Sequence, residues 1–201
     1  MDLEERLARV ESIERIRFLK ARYCDLCDDG YDADALCELF TEDAIWDGGK
    51  LGYHEGLDNI RQFFVDMPNV MSFAIHNVTN SAVDLSEDGQ SAEARWYLIQ
   101  MATQKDKNKA VWLTGRYVDH LVLDNQDWKF KHVALNARFY SPYDQGWAER
   151  NFVANRSSIK LLQSTAILPF CPQVPATSQR IRHTSTITEN QTPSEVAWAL
   201  K

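Results

Sequence analysis

Two stretches of the chain carry side chains suited to proton transfer. The first is Ile13 to Gly49, IERIRFLKARYCDLCDDGYDADALCELFTEDAIWDGG, where Ile13, Ile16, Leu19 and Tyr23 recur at three-to-four residue spacing. That spacing puts them on one face of a helix. Tyr23 and Asp28 close that face, and an ionisable pair so placed is carried toward whatever the helix covers. The second stretch is entered through His76-Asn77-Val78-Thr79-Asn80. An imidazole titrates near neutrality and is the natural base for removing a proton beside a carbonyl. A carboxylate bonded to its other ring nitrogen fixes the tautomer and stabilises the imidazolium that forms. His76 and Asp28 fit that pairing if the fold brings them together. Read alone, His76 is better explained as a strand histidine bonded to backbone.

The elements that must position these groups follow from periodicity. A helix is predicted from Leu3 to about Asp28, broken at Asp28-Asp29-Gly30. Asp32 is a suitable N-cap for a short helix over 33–40. A strand enters at Ala44-Ile45-Trp46 and a second short one at 51–54. A helix follows from Leu57 with Ile60, Phe63 and Phe64 on its apolar face, stopped by Pro68. Beyond residue 70 the pattern turns to long strands over 72–85, 91–103, 110–123 and 128–140, joined by turns such as Ser86-Glu87-Asp88-Gly89.

In the second long strand Ala92, Ala94, Trp96, Leu98 and Gln100 alternate with Glu93, Arg95 and Tyr97, so Gln100 faces inward beside Trp96. Unbroken alternation in the last strand puts Trp128, Phe130, His132, Ala134, Asn136 and Arg138 on one inward face. A buried guanidinium there either pairs with Asp28 or Asp29 or awaits an anionic or carbonyl ligand. Counting back from Val83 and Leu85 puts His76 on the face opposite theirs. An inward His76 therefore requires a bulge between them. Helices first and hairpin-connected strands after indicate an α+β fold, with helices on one face of an antiparallel sheet.

Bulk properties exclude several classes. The 201 residues suit one domain with a tail, and 44% hydrophobic residues supply a core. A net charge of −7 argues against nucleic acid. The charged start MDLEERLARVESIER is not a standard secretory signal, and no run of about 18 apolar residues exists to span a membrane. Of the four cysteines, Cys24 and Cys27 form a CxxC without a second pair at metal-ligand spacing, so they read as helix packing in a reducing compartment. His54, His120 and His183 lack ligand spacing, so no metal is indicated. Without a Walker or GxGxxG motif no nucleotide cofactor is indicated. From Ala148 the composition shifts, and 172–195 is rich in Pro, Ser, Thr and Gln. This divides the chain into a domain at 1–147 and an extension at 148–201, partly helical or loosely ordered, with Phe152 to Leu168 able to form a helix.

The succession RYCDLCDDGYDADALCELFTEDAIWDGG, GYHEGLDNIRQFF, the His76 strand, ARWYL and WKFKHVALNARFY resembles the SnoaL-like group of the nuclear-transport-factor-two-like superfamily over about residues 8 to 147. The resemblance implies a cone-shaped α+β barrel, its helices packed on a strongly curved, mostly antiparallel sheet around a pocket. It also implies a set of relatives: scytalone dehydratase, bile-acid 7α-dehydratase, a dehydrochlorinase, ketosteroid isomerase and polyketide cyclases. Carried over by residue, it implies Tyr23 polarising a substrate oxygen and Asp28, or Asp29 in its place, orienting His76. Arg138 would be the inward arginine of the last strand. Where the bile-acid enzyme has an inward aspartate, this chain has Gln100, which cannot transfer a proton. Trp46, Phe63, Trp96, Gln100, His132 and Asn136 are the expected pocket residues beside Asp29.

The expectation is a cofactor-independent lyase of the dehydratase kind, taking a small hydrophobic cyclic molecule. Isomerisation, polyketide cyclisation or binding alone are the alternatives on the same site. The resemblance further implies a homodimer or homotrimer, while charge, cysteine usage and the apolar pattern point to a cytoplasmic protein without nucleic-acid or membrane partners.

Overall fold

The computed structural model describes residues 1–152. Helix α1 spans Leu3–Asp28, and its start is a capping box in which Asp2 and Glu5 each accept the other's backbone N–H. Its end is a Schellman turn: the Tyr31 N–H reaches back to the Leu26 carbonyl at 2.9 Å, with Gly30 at φ +101°. Asp32 accepts from the Asp34 and Ala35 N–H groups and starts α2, Ala33–Cys37. The short helix was expected to reach residue 40. It stops earlier because Phe40 already belongs to strand β1, Phe40–Asp47, where its ring packs 5.4 Å from Phe130. Strand β2 is Tyr53–Glu55 and helix α3 is Leu57–Val70.

Pro68 does not stop α3; the helix carries it inside its last turn. Two of the unpaired carbonyls at the end of the helix are taken up from the sheet side. Lys105 donates its ammonium to the Pro68 oxygen at 3.0 Å and its backbone N–H to Val70 at 2.9 Å.

The long strands β3 Met71–Leu85, β4 Ser91–Gln104, β5 Lys109–Asp124 and β6 Asp127–Pro142 follow, then a single turn α4, Gly146–Glu149. Sheet order is β2-β1-β6-β5-β4-β3. Among these strands only β1 runs parallel to a neighbour, β6; the other pairings are antiparallel. The curved sheet is open, with β2 and β3 as its edges, so the expected barrel is an unclosed one. The helices pack on the concave side over Ala94, Trp96, Leu98, Tyr117, Leu121 and Phe130. No described helix is long and apolar enough to cross a membrane. The expected helix over Phe152–Leu168 and the rest of the extension lie outside the described residues.

An ion pair is sealed inside this layer. Lys20 Nζ lies 2.9 Å from Asp119 Oδ2, and neither side chain has any exposure. Trp96 Nε1 donates to the same oxygen at 2.9 Å, and the ammonium sits 3.4 Å from the Tyr117 ring centroid. Burial pushes the Asp119 carboxyl up, against the pull of Lys20 and the Trp96 N–H. The pair ties α1 to β5, and deleting one partner strands a charge. Lys20→Met is therefore expected to lower unfolding stability by about 3–5 kcal/mol in urea titrations. Combining it with Asp119→Leu is expected to restore much of that loss, and strict additivity would count against the pairing.

At the other end of the helical layer His54 stacks on Phe63 with ring centroids 4.5 Å apart, and its Nε2 has no hydrogen-bond partner among the described residues. Burial pulls this imidazole below its ordinary value. A histidine so depressed favours folding in its neutral form. Its contribution is whole above about pH 6.5 and declines as pH falls below it. The thermal midpoint should drop between pH 7 and pH 5 more steeply in the wild type than in His54→Gln. Parallel curves for the two proteins would refute this.

Candidate active site

Asp28 is the last residue of α1, and β3 passes directly beside it. Its Oδ1 lies 2.5 Å from His76 Nδ1, while Oδ2 and Oδ1 accept the His76 backbone N–H at 2.9 and 3.1 Å. One carboxylate thus holds both the ring and the main chain of the same residue. With Nδ1 as the donor, the neutral ring keeps Nε2 as its basic nitrogen. Positive charge forming on the ring meets the carboxylate and the negative end of the α1 dipole together. The His76 side chain is 7% exposed and that of Asp28 23%.

A bulge puts His76 on the inner face. The β3–β4 register shifts between Thr79 and Ala82, with Asn80 at φ +51°. Val83 and Leu85 on one side of the shift and Ala74, His76 and Val78 on the other therefore share the concave face. Across the ladder His76 stands opposite Gln100, which is buried and donates its amide to Met71 Sδ at 3.8 Å. Asp29, the alternative carboxylate, caps α1 and is exposed.

Tyr23 lies in the core, not at the free end of a pocket. Its hydroxyl accepts the Trp46 indole N–H at 3.0 Å, and its ring packs edge-on against Phe40, Phe64 and Phe130. Burial drives its phenol well above 10. Trp46 in turn stacks on Phe63 at 4.3 Å. These two expected pocket residues and Trp96, which is bonded to Asp119, are buried among aromatic and charged partners.

The inward row expected on β6 is interrupted. Register shifts leave Lys131 and Arg138 as extra residues opposite β5. Each shift exchanges the inner and outer faces of the residues beyond it, so Val133 and Leu135 are buried in place of His132 and Asn136. Asn136 and Arg138 are exposed, and the Arg138 guanidinium lies 5.9 Å from the ring of outward-facing Tyr97. His132 stacks on the exposed His120 at 6.0 Å. Arg138 accordingly pairs with neither Asp28 nor Asp29, and it does not reach the His76 side of the sheet.

Cys24 and Cys27 are buried free thiols, and burial pushes Cys24 up to about 11, so both behave as packing groups. Among the described residues no three His, Cys, Asp or Glu side chains converge as a metal site.

One residue near the dyad escaped periodicity altogether. Tyr31 follows Gly30 in the left-handed region at φ +62°, is buried, and turns its hydroxyl to Met71 Sδ at 3.8 Å. Its only signal in the sequence is its place directly after the glycine of a helix end, where an aromatic packs back on the last turn.

The SnoaL-like domain model matches residues 8–134. A candidate aromatic ring hydroxylase from Novosphingobium aromaticivorans is 32% identical over 66% of this chain and 94% of its own, with a TM-score of 0.61. A candidate scytalone dehydratase from the same organism is 20% identical over 71% and 92%, TM-score 0.61. The hexachlorocyclohexane dehydrochlorinase LinA type 3 from Novosphingobium barchaimii is 17% identical over 74% and 99%, TM-score 0.62. The last two likenesses are of fold. No curated protein matches the chain in sequence. With the family model spanning more than half its length, on a nuclear-transport-factor-two-like α+β scaffold, the chain belongs to the SnoaL-like domain family.

Proposed function

We propose that this protein is a cofactor-independent lyase that removes water from a small, hydrophobic, cyclic hydroxy ketone. The observation that carries the reading is the His76–Asp28 contact on the inner face of the sheet. In the forward step His76 Nε2 takes a proton from the carbon next to the carbonyl. The C–H electrons become a C=C bond and the carbonyl π pair moves onto oxygen, giving an enolate. The enolate then re-forms the ketone and expels the β-hydroxyl, to which the imidazolium returns the proton. Water and an enone leave, and atoms and charge balance without an oxidant.

Membership of a family whose relatives take small hydrophobic molecules favours an apolar ring as substrate. The likeness in fold to a candidate scytalone dehydratase and to a dehydrochlorinase supports elimination over other proton transfers. Isomerisation and cyclisation begin with the same proton abstraction and differ in where the proton is returned. Tyr23 and Arg138, implied as partners of the dyad, are not part of this reading, because one is bonded to Trp46 and the other is exposed on the outer face. The reading has the protein act in the cytoplasm as a homodimer or homotrimer. The outward sheet residues Phe73, Ile75, Tyr97 and Ile99 support self-association, since all are large, apolar and exposed.

The test is turnover of a panel of hydroxylated cyclic ketones, read as enone absorbance. His76→Ala should reduce kcat by about 10²–10⁴, and Asp28→Asn should reduce it while leaving KM nearly unchanged. A small ligand bound tightly by the wild type without turnover, with His76→Ala changing affinity alone, would replace this reading by a binding module.

A further inference from the structure

Two buried donors beside the dyad share one poor acceptor. Tyr31 Oη and Gln100 Nε2 each lie 3.8 Å from Met71 Sδ. Gln100 is 3% exposed and Tyr31 8%, and Met71 is partly buried at the start of β3. A thioether sulfur is a weak acceptor, and buried hydroxyl and amide donors ordinarily find an oxygen. These two come from different elements, the turn after α1 and the middle of β4. Gln100 is the ladder partner of His76, and Tyr31 follows Asp28 by one turn of chain. Tyr31 adopts a left-handed backbone that a bulky side chain avoids, a cost that recurs at functional positions.

We propose that Tyr31 Oη and Gln100 Nε2 form a donor pair that receives the substrate's oxyanion, with Met71 holding the place until a ligand arrives. This rests on the proposed proton abstraction by His76 and adds to it the group that stabilises the product of that step. The methionine side chain is unbranched and rotates readily. Its displacement frees both donors for the carbonyl oxygen of a cyclic ketone whose α-carbon faces His76. Negative charge growing on that oxygen strengthens both hydrogen bonds, the condition for lowering the barrier. Burial, with Cys27 and Asp28 nearby, pushes the Tyr31 phenol well above 10, so it stays a donor at neutral pH. Gln100 then has a task for which it needs no transferable proton. The substrate class narrows to ketones and phenol-like enols, since an acceptor oxygen must sit between the two donors.

The probe is 4-nitrophenol, whose ionisation is visible by absorbance and whose phenolate imitates the enolate oxygen. Bound to the wild type it should titrate at lower pH than free, because the phenolate is held more tightly than the phenol. Tyr31→Phe and Gln100→Met preserve bulk, and each is expected to reduce that preference about tenfold, the scale of one hydrogen bond to a charged oxygen. His76→Gln should keep the part owed to the donor pair, and circular dichroism checks that each variant folds. Should Tyr31→Phe fail to fold, Gln100→Met alone decides. An unchanged preference in both variants, or none in the wild type, overturns the donor pair. A preference that depends on Tyr31 and Gln100, in a protein that eliminates water from no hydroxy ketone, overturns the dehydratase reading and leaves the pair standing. Water loss with a preference indifferent to both residues does the reverse.

Discussion

The Asp28 carboxylate holds one end of this fold in register. It closes α1, accepts the His76 main-chain N–H, and bonds the His76 ring, so a helix end and a strand middle cannot slide without breaking all three contacts. A carboxylate at a helix C-terminus is electrostatically disfavoured, since the last carbonyls already carry partial negative charge. The arrangement is tolerable because the strand presents two N–H donors to it. The position the helix disfavours is also the one where a transient imidazolium gains most. The same charge that works against α1 suits it to orient a base.

Helix position and strand identity were readable from hydrophobic spacing because burial on the concave face imposes periods of 3.6 and 2. The inward run Ala92 to Gln100 on β4 follows its period without interruption, and in α1 the face marked by Ile16 and Tyr23 is the buried one, with the charged Lys20 breaking the apolar pattern. Asp32 was readable as a cap because few other side chains can take up free N–H groups. The bulge in β3 could be deduced as a requirement, since Val83 and Leu85 had to face inward with His76. The two on β6 could not. Nothing about Lys131 or Arg138 marks them as extra residues, and the Asn-x-Arg row had a ready functional reading if alternation held. The cost of the error was a whole face, because one inserted residue exchanges inside for outside.

Charged residues in the core were illegible for a related reason. Lys20 falls within a helix rich in Arg, Lys and Glu, and Asp119 sits between His120 and Val118, so each reads as solvated. Only the fold shows that they meet, with Trp96 and Tyr117 closing around them. Trp96 read as a pocket wall and Tyr23 as a contact to a substrate oxygen for the same reason that they are core: large, amphipathic rings must satisfy one polar atom wherever they are buried. Trp96 does so on Asp119 and Tyr23 on Trp46.

These anchors divide the concave layer into two regions of different character. Around Lys20 each large side chain meets a strong partner: an ammonium on a carboxylate, an indole on that carboxylate, a phenol ring against the ammonium. Around His76 the partners are weaker and the backbone less regular, with a sulfur serving two donors and left-handed residues at Tyr31 and Asn80. Local rules are expected to fail where function overrides them and to hold where stability alone is selected. The rigid end can carry the irregular one because α1 and the sheet are common to both. Strain at Tyr31 and the bulge at Asn80 displace the chain locally, while the buried ion pair holds the helix on the sheet.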